Sequence, residues 1–303
     1  MPNLKRIKKI GFGIIVFDDV CHLKNITSEI RDLCDNITIC LQRTSYYGDP
    51  ISEDIVKSVE RLQNDKLVDD VIWFEPTDEH TNEGPAAPRF IETDKRNFIL
   101  EHLEKEARCS HTMVTDSDEF YDHEDFKRAV EIIDENPNVK VTYCEYVNYY
   151  RDYRHLLVWP FRCYVPFLTE SKYRFNFKSG SFDRPSDPTR RYVINEPNGQ
   201  YCLLAFNIIK MHHLSWLRVD IHSKIDNWSS RLYFNDIDGL KKKIVDSYEN
   251  FEDGMNATIM FNTPFNQVVV NKLPNQYINP KYNFGFKDKE NDIIKEGNEE
   301  SNE

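Results

Sequence analysis

Residues 10–17, IGFGIIVF, form an unbroken run of apolar side chains, mostly β-branched or aromatic. A strand with no polar face to offer water belongs inside a parallel sheet that helices cover on both sides. Gly11 and Gly13 fall within this run and read as structural. The next segments obey the same constraint. NITSEIRDLC (25–34) sets Ile26, Ile30, Leu33 and Cys34 at helical spacing, NITICLQ (36–42) is a second strand, and YYGDP (46–50) is a turn. SEDIVKSVERLQ (52–63) opens on Ser52 and acids, a capped helix start, and aligns Ile55, Val56, Val59 and Leu62. DDVIWF (69–74) is a third strand. This alternation predicts right-handed crossovers and an α/β fold, a Rossmann-like, doubly wound, mostly parallel sheet.

With 40% hydrophobic and 13% aromatic residues in 303, the chain can build a substantial core. The apolar run after the basic N-terminal residues is short and ends in Asp18 and Asp19, which suits a first strand better than a signal peptide. No apolar run is long enough to span a membrane. The seven cysteines lie mostly in apolar runs with no C-x-x-C, so reduced thiols and a cytoplasmic location are expected. No obligate protein partner is implied.

Further along, 75–88 reads as a polar loop, 94–107 as a helix, 111–115 as a fourth strand and 123–136 as a helix. Aromatic β-like segments follow, with a late helix from Leu240. Residues 286–303 hold seven acids and three lysines and are expected to be a disordered tail. The expected organisation is one domain over 1–285. It falls into two parts, 1–120 with alternating strands and helices and 121–285 with the aromatic β-like segments.

The fourth strand ends in DSDEF (116–120). In extended chain, residues i and i+2 point the same way, so Asp116 and Asp118 can face one cation. Hard cations such as Mn²⁺ or Mg²⁺ favour such oxygen donors, and ligands bind at the carboxyl ends of strands in these sheets. As strand-end acids, the two are expected to be exposed. A solvated turn is the bland alternative.

The blocks DKRNFILEHL (94–103) and HTMVTDSDEF (111–120) resemble the A-type-fold glycosyltransferases, close to the large family-2 group, with a somewhat longer spacer between the blocks. The resemblance spans about residues 7–230, although only 94–119 is specific. It implies a nucleoside-diphosphate sugar donor and a D-x-D pair, Asp116 and Asp118, holding Mn²⁺ or Mg²⁺ on the diphosphate. Arg96 falls on the family's Arg-Asn-Phe helix and is carried over as donor-binding. MHHLSWLRVDIHSKI (211–225) resembles the family's late histidine element and places His213 as a further metal ligand. His212 and His213 face opposite ways on a strand, so only one can serve. Arg218 and Lys224 are near enough in sequence to meet diphosphate oxygens. Asp18, at the end of the first strand, would wall the donor; residues 1–120 would bind it, and 121–285 would shape the acceptor site and complete the metal site.

Residues 151–191 carry nine Lys/Arg against four acids, within a chain of net charge −12. Nine aromatics alternate with those charges. The plain reading is a half-buried β-layer with basic stems over it. The functional reading is a platform for an anionic acceptor, a phosphorylated glycan or lipid or a nucleic acid with a hydroxyl-bearing base, with Arg184, Arg190 and Arg191 as its cations. Asp183 and Asp187, in the same stretch, are the candidate catalytic bases for the acceptor hydroxyl.

Two other functions fit parts of this pattern. A haloacid-dehalogenase-like phosphatase also places D-x-D at a strand end, but needs it near the first strand and a different residue where Phe120 stands. A non-catalytic carbohydrate- or nucleotide-binding module would keep the cleft and lack turnover.

Overall fold

Ile10–Ile15 (β1) is buried at all six positions. The computed structural model describes residues 6–77, 83–158, 162–178, 184–194, 200–218, 220–229, 231–259 and 267–273. Asn36–Gln42 (β2) and His111–Asp116 (β4) flank β1 in parallel, with Gly13 opposite both Thr38 and Val114. Asp70–Phe74 (β3) adds a further parallel strand beyond β2. A Cβ on Gly13 would come within 2.2 Å of Ile99, and one on Gly11 within 2.8 Å of the Cys109 sulfur. These glycines let the covering helix approach the sheet.

That helix, Ala87–Lys105 (α3), covers one face through Ile99, Leu100 and Leu103. Leu23–Ile30 (α1), Glu53–Asn64 (α2) and His123–Glu135 (α4) supply Ile26, Val59 and Phe126 to the core on the other face. Ser52 caps α2 by accepting from Asp54 N, and Asp122 caps α4 by accepting from Glu124 N and Asp125 N. Asp122, two residues beyond DSDEF, therefore starts a helix. Two boundaries differ from expectation. α1 ends at Ile30 rather than at residue 34. α3 begins seven residues early, with Pro88 in its first turn, where a missing N–H costs nothing.

Beyond β4 the sheet is mixed. Val139–Tyr150 (β6) pairs antiparallel with Asp152–Val158 (β7) and Tyr164–Glu170 (β8), and β8 in turn joins β4. The other edge of β6 runs parallel to Gln200–Leu203 (β9) and then Lys210–Trp216 (β10). β10 also pairs antiparallel with Glu119–Phe120 (β5), setting His213 opposite Glu119. Ala257–Thr258 (β11) and Gln267–Lys272 (β12) extend the sheet past β7. Ile221–Asp226 (α5) and Ile237–Glu249 (α6) make six helices among the described residues, packed around Tyr150 and Trp216. The described part is thus an α/β fold with a parallel first half, compatible with a Rossmann-like topology. None of its helices is long and apolar enough to cross a membrane. Residues 286–303 lie outside the described residues.

The basic stretch 151–191 is β7, β8 and the chain after them, and acids from elsewhere answer many of its charges. Arg174 pairs with Glu104, Lys178 with Glu83 and Arg162 with Glu145. Its local excess of positive charge is therefore largely internal to the fold.

Buried histidines, His111 and His212 among them, make stability depend on pH. His111 is 3% exposed and His212 1% exposed. Burial pushes His111 down to about 4, helped by Arg6, and His212 down to about 3. Unfolded histidines titrate near 6.5, so between about pH 4 and 6.5 the unfolded chain binds more protons. Stability is then complete above pH 6.5 and is lost as pH falls. Each histidine contributes about 1.4 kcal/mol per pH unit, so these two contribute a fall of about 3 kcal/mol per unit near pH 5. His22 and His213, also held neutral by burial, add to it, while Glu119, pushed up to about 7 by burial, opposes it. Urea midpoints measured from pH 7 to 4.5 check this, and a flat profile would contradict it.

Candidate functional site

The carboxyl ends of β1, β2 and β4 open into a cleft of about 510 Å³, walled on its far side by β10 and residues 185–191. Six cations (Arg89, Lys95, Arg190, Arg191, Arg218, Lys224) and six acids (Asp18, Glu92, Asp116, Asp118, Glu119, Asp187) line it. The cleft is formally neutral. An added diphosphate alone would leave it negative, whereas a diphosphate with one divalent cation returns it close to balance.

The D-x-D acids are not the solvated groups expected. Asp118 is 4% exposed, and the Asp116 side chain is about one-third exposed, at 34%. Asp116 accepts from Arg96 Nη2 at 3.1 Å and from Arg190 Nη2 at 2.5 Å. Asp118 accepts from Arg218 Nη2 at 2.8 Å. Burial opposes charge on both acids, but Arg190 and Arg96 beside Asp116, and Arg218 and Lys224 near Asp118, hold them below the usual carboxylate range. The two carboxylates thus have separate arginine partners.

These three arginines are each held by carboxylates of the protein. Arg96 is fully buried on α3, bonded to Glu92 and Asp116, and is absent from the cleft lining. It meets the cleft through Glu92 and Asp116, which both line it. Arg190 is 4% exposed and pairs with Asp116, Glu119 and Asp187, so it anchors the 184–191 segment to the site rather than offering its charge to an acceptor. Arg218 joins Asp18, Asp19 and Asp118 at 3.1, 3.3 and 2.8 Å, tying the end of β1 to the D-x-D turn.

The remaining candidates are spread around the same cleft. Asp18 and Lys224 line it. Lys224 donates to Ser215 Oγ, and burial together with Arg218 pushes it down to about 8. Arg191 lines the cleft and bonds Ser186, while Arg184 is exposed beside it. Asp187 lines the cleft, but its Oδ1 accepts from Thr189 N and Oγ1 and its Oδ2 sits 3.2 Å from Arg190 Nε. Both of its oxygens are therefore engaged within the 187–190 turn. Asp183 lies outside the described residues.

His213 faces the cleft and His212 does not. His212 Nδ1 meets Tyr149 OH at 2.9 Å, and its ring stacks on Tyr149. His213 Nδ1 lies 2.5 Å from Asn148 Oδ1. A carbonyl oxygen only accepts, so Nδ1 carries the proton and Nε2 presents a lone pair. Burial keeps this ring neutral, pushing it down to about 4. Nε2 is 3.6 Å from Asp118 Oδ1, a buried oxygen with no hydrogen-bond partner. Two acceptors facing each other at this distance suit a shared cation, and Asn148 holds the ring as a ligand histidine's orienting partner does. Asp116 does not join them in a compact set. Among the described residues, the three-ligand cluster with atoms mutually within 4.8 Å is instead Asp19, Cys21 and His22.

Sequence reasoning missed Asn148, which sits in an aromatic strand with no motif around it, and the anchoring role of Glu119, although Glu119 lay within the quoted block. Comparison with models of known protein families finds no match, and a search of curated proteins finds none either.

Proposed function

We propose that this protein is a metal-dependent glycosyltransferase that moves a sugar from a nucleoside-diphosphate sugar to a hydroxyl acceptor. The observation that carries the reading is the bare Asp118 Oδ1 facing His213 Nε2 in a formally neutral cleft at the strand carboxyl ends. A cleft near 510 Å³ suits a ligand of nucleotide-sugar size. Asp118 and His213 would hold Mn²⁺ or Mg²⁺, which supplies charge neutralisation on the departing diphosphate without a proton. Asn148 orients His213, and Arg218 fixes Asp118 against Asp18. Lys224 adds positive charge where the diphosphate would lie. Arg89 and Arg191 in the cleft, with Arg184 beside it, are the cations an anionic acceptor would meet.

A nucleoside-diphosphate panel tested by thermal unfolding with and without Mn²⁺ decides the donor. At 100 times its dissociation constant, the cognate diphosphate should stabilise the fold by about 2.7 kcal/mol, and only with the metal. Metal-dependent hydrolysis of the matching nucleotide-sugar separates an enzyme from a binding module. No shift with any diphosphate would sink the reading.

His213→Ala should weaken Mn²⁺ binding, measured with nucleoside diphosphate present, far more than His212→Ala does. Asn148→Ala should lower it by about 10- to 100-fold by freeing the ring. A larger loss in His212→Ala would mean that the other face of β10 holds the ion.

A further inference from the structure

The loop after β1 gathers three side chains of metal-ligating type outside the Asp118–His213 pair. The ligand atoms of Asp19, Cys21 and His22 lie within 4.8 Å of one another. His22 is wholly buried, with Nε2 3.0 Å from Leu217 O. The carbonyl can only accept, so Nε2–H donates and Nδ1 carries the ring's lone pair. This is the second-sphere contact that orients a ligating histidine. Asp19 Oδ1 accepts from Cys21 N at 2.8 Å, which folds the loop over itself. Asp19 Oδ2 is buried and accepts no hydrogen bond, with Arg218 Nε 3.3 Å away. Cys21 is exposed, whereas the other six cysteines are buried or half-buried.

We propose that Asp19, Cys21 and His22 bind one thiophilic divalent cation, Zn²⁺ by chemistry, with the fourth position left to solvent. Sulfur, nitrogen and oxygen donors together suit zinc, whereas Mg²⁺ and Mn²⁺ favour oxygen. On binding, the Cys21 S–H bond breaks, its proton goes to solvent and an S–Zn bond forms. Thiolate and carboxylate then cancel the two positive charges of the ion, and the imidazole stays neutral. Tetrahedral zinc sets its ligand atoms roughly 3.5 Å apart, a small contraction that an exposed cysteine can supply by rotating. The ion would tie the β1–α1 loop to the chain after β10, where Leu217 and Arg218 lie. The site stands or falls independently of the glycosyltransferase reading.

Co²⁺ replaces Zn²⁺ as the probe, because a cobalt–thiolate bond gives a near-ultraviolet charge-transfer band that oxygen and nitrogen ligands do not. Titrated into the whole chain, one equivalent of Co²⁺ should produce the band, and Zn²⁺ should abolish it. Cys21→Ser, at an exposed position, should remove the band, and Asp19→Asn should weaken Co²⁺ binding by about tenfold or more. Cobalt held by Asp118 and His213 would give no such band. Absence of the band, its persistence in Cys21→Ser, or unchanged affinity in Asp19→Asn would each overturn the three-residue site.

Discussion

In the transferase we propose, Asp118→Ala is expected to reduce metal-dependent turnover of the nucleotide-sugar on the order of a thousandfold, about 4 kcal/mol of transition-state stabilisation. The variant removes the oxygen that faces His213 Nε2. Arg218 keeps Asp18 and Asp19 as partners, so the lost pair leaves no isolated buried cation and the fold should survive. Asp118→Asn separates charge from shape. It keeps an oxygen near Arg218 and should still lose most of the Mn²⁺ affinity. Steady-state rates with and without Mn²⁺, alongside urea unfolding of each variant, measure both effects. Metal-dependent turnover persisting in both variants would remove Asp118 from the site.

Arg190→Ala should give the largest loss of stability, about 3–5 kcal/mol, because truncating one partner strands the other buried charges. Arg190 is 4% exposed and bridges Asp116, Glu119 and Asp187. Glu119 is 1% exposed and has no other basic partner in an ion pair among the described residues. Burial already pushes its carboxyl up to about 7 against the pull of Arg190. Without the guanidinium, Glu119 would take up a proton at neutral pH, so the destabilisation should shrink as pH falls toward 6 and grow as pH rises toward 8. Arg191→Ala, at a half-buried position whose side chain bonds Ser186, should cost about 0.5 kcal/mol or less. Equal small losses in the two variants would contradict the anchoring role of Arg190. A loss from Arg190→Ala that ignored pH would contradict the assignment to Glu119.

These two expectations invert part of what the chain suggests before folding. Asp116 and Asp118 read as exposed turn acids, and Arg190 as one of three surface cations. In the structure Asp116 and Arg190 belong to one charge network joining β4, β5, α3 and the 184–191 segment, while Asp118 is buried against Arg218. Arg96 changed in the same way. Its helix was legible, yet its side chain is buried beneath Asp116 instead of reaching the cleft.

The elements that the sequence determined by itself are those with strong local signals. The unbroken apolar run of β1, the short β-branched segments of β2 and β4, the 3.6-residue spacing in α2 and the Ser52 cap each depend on residues a few positions apart. Solvent exclusion then leaves them little choice of partner. Even the strand-end location of DSDEF follows from this, because a buried parallel strand must deliver its last residues to the sheet's carboxyl edge. Tertiary structure alone decided which charges meet. Arg190 finds Glu119 across 71 residues and Arg218 finds Asp118 across 100. No local pattern encodes such pairs, since an ion pair is selected by distance and by how completely water is excluded. The same holds for His213. Its alternation with His212 was readable, but its proton position and its opposition to Asp118 depend on β6 carrying Asn148 to one side of β10 and β5 lying on the other.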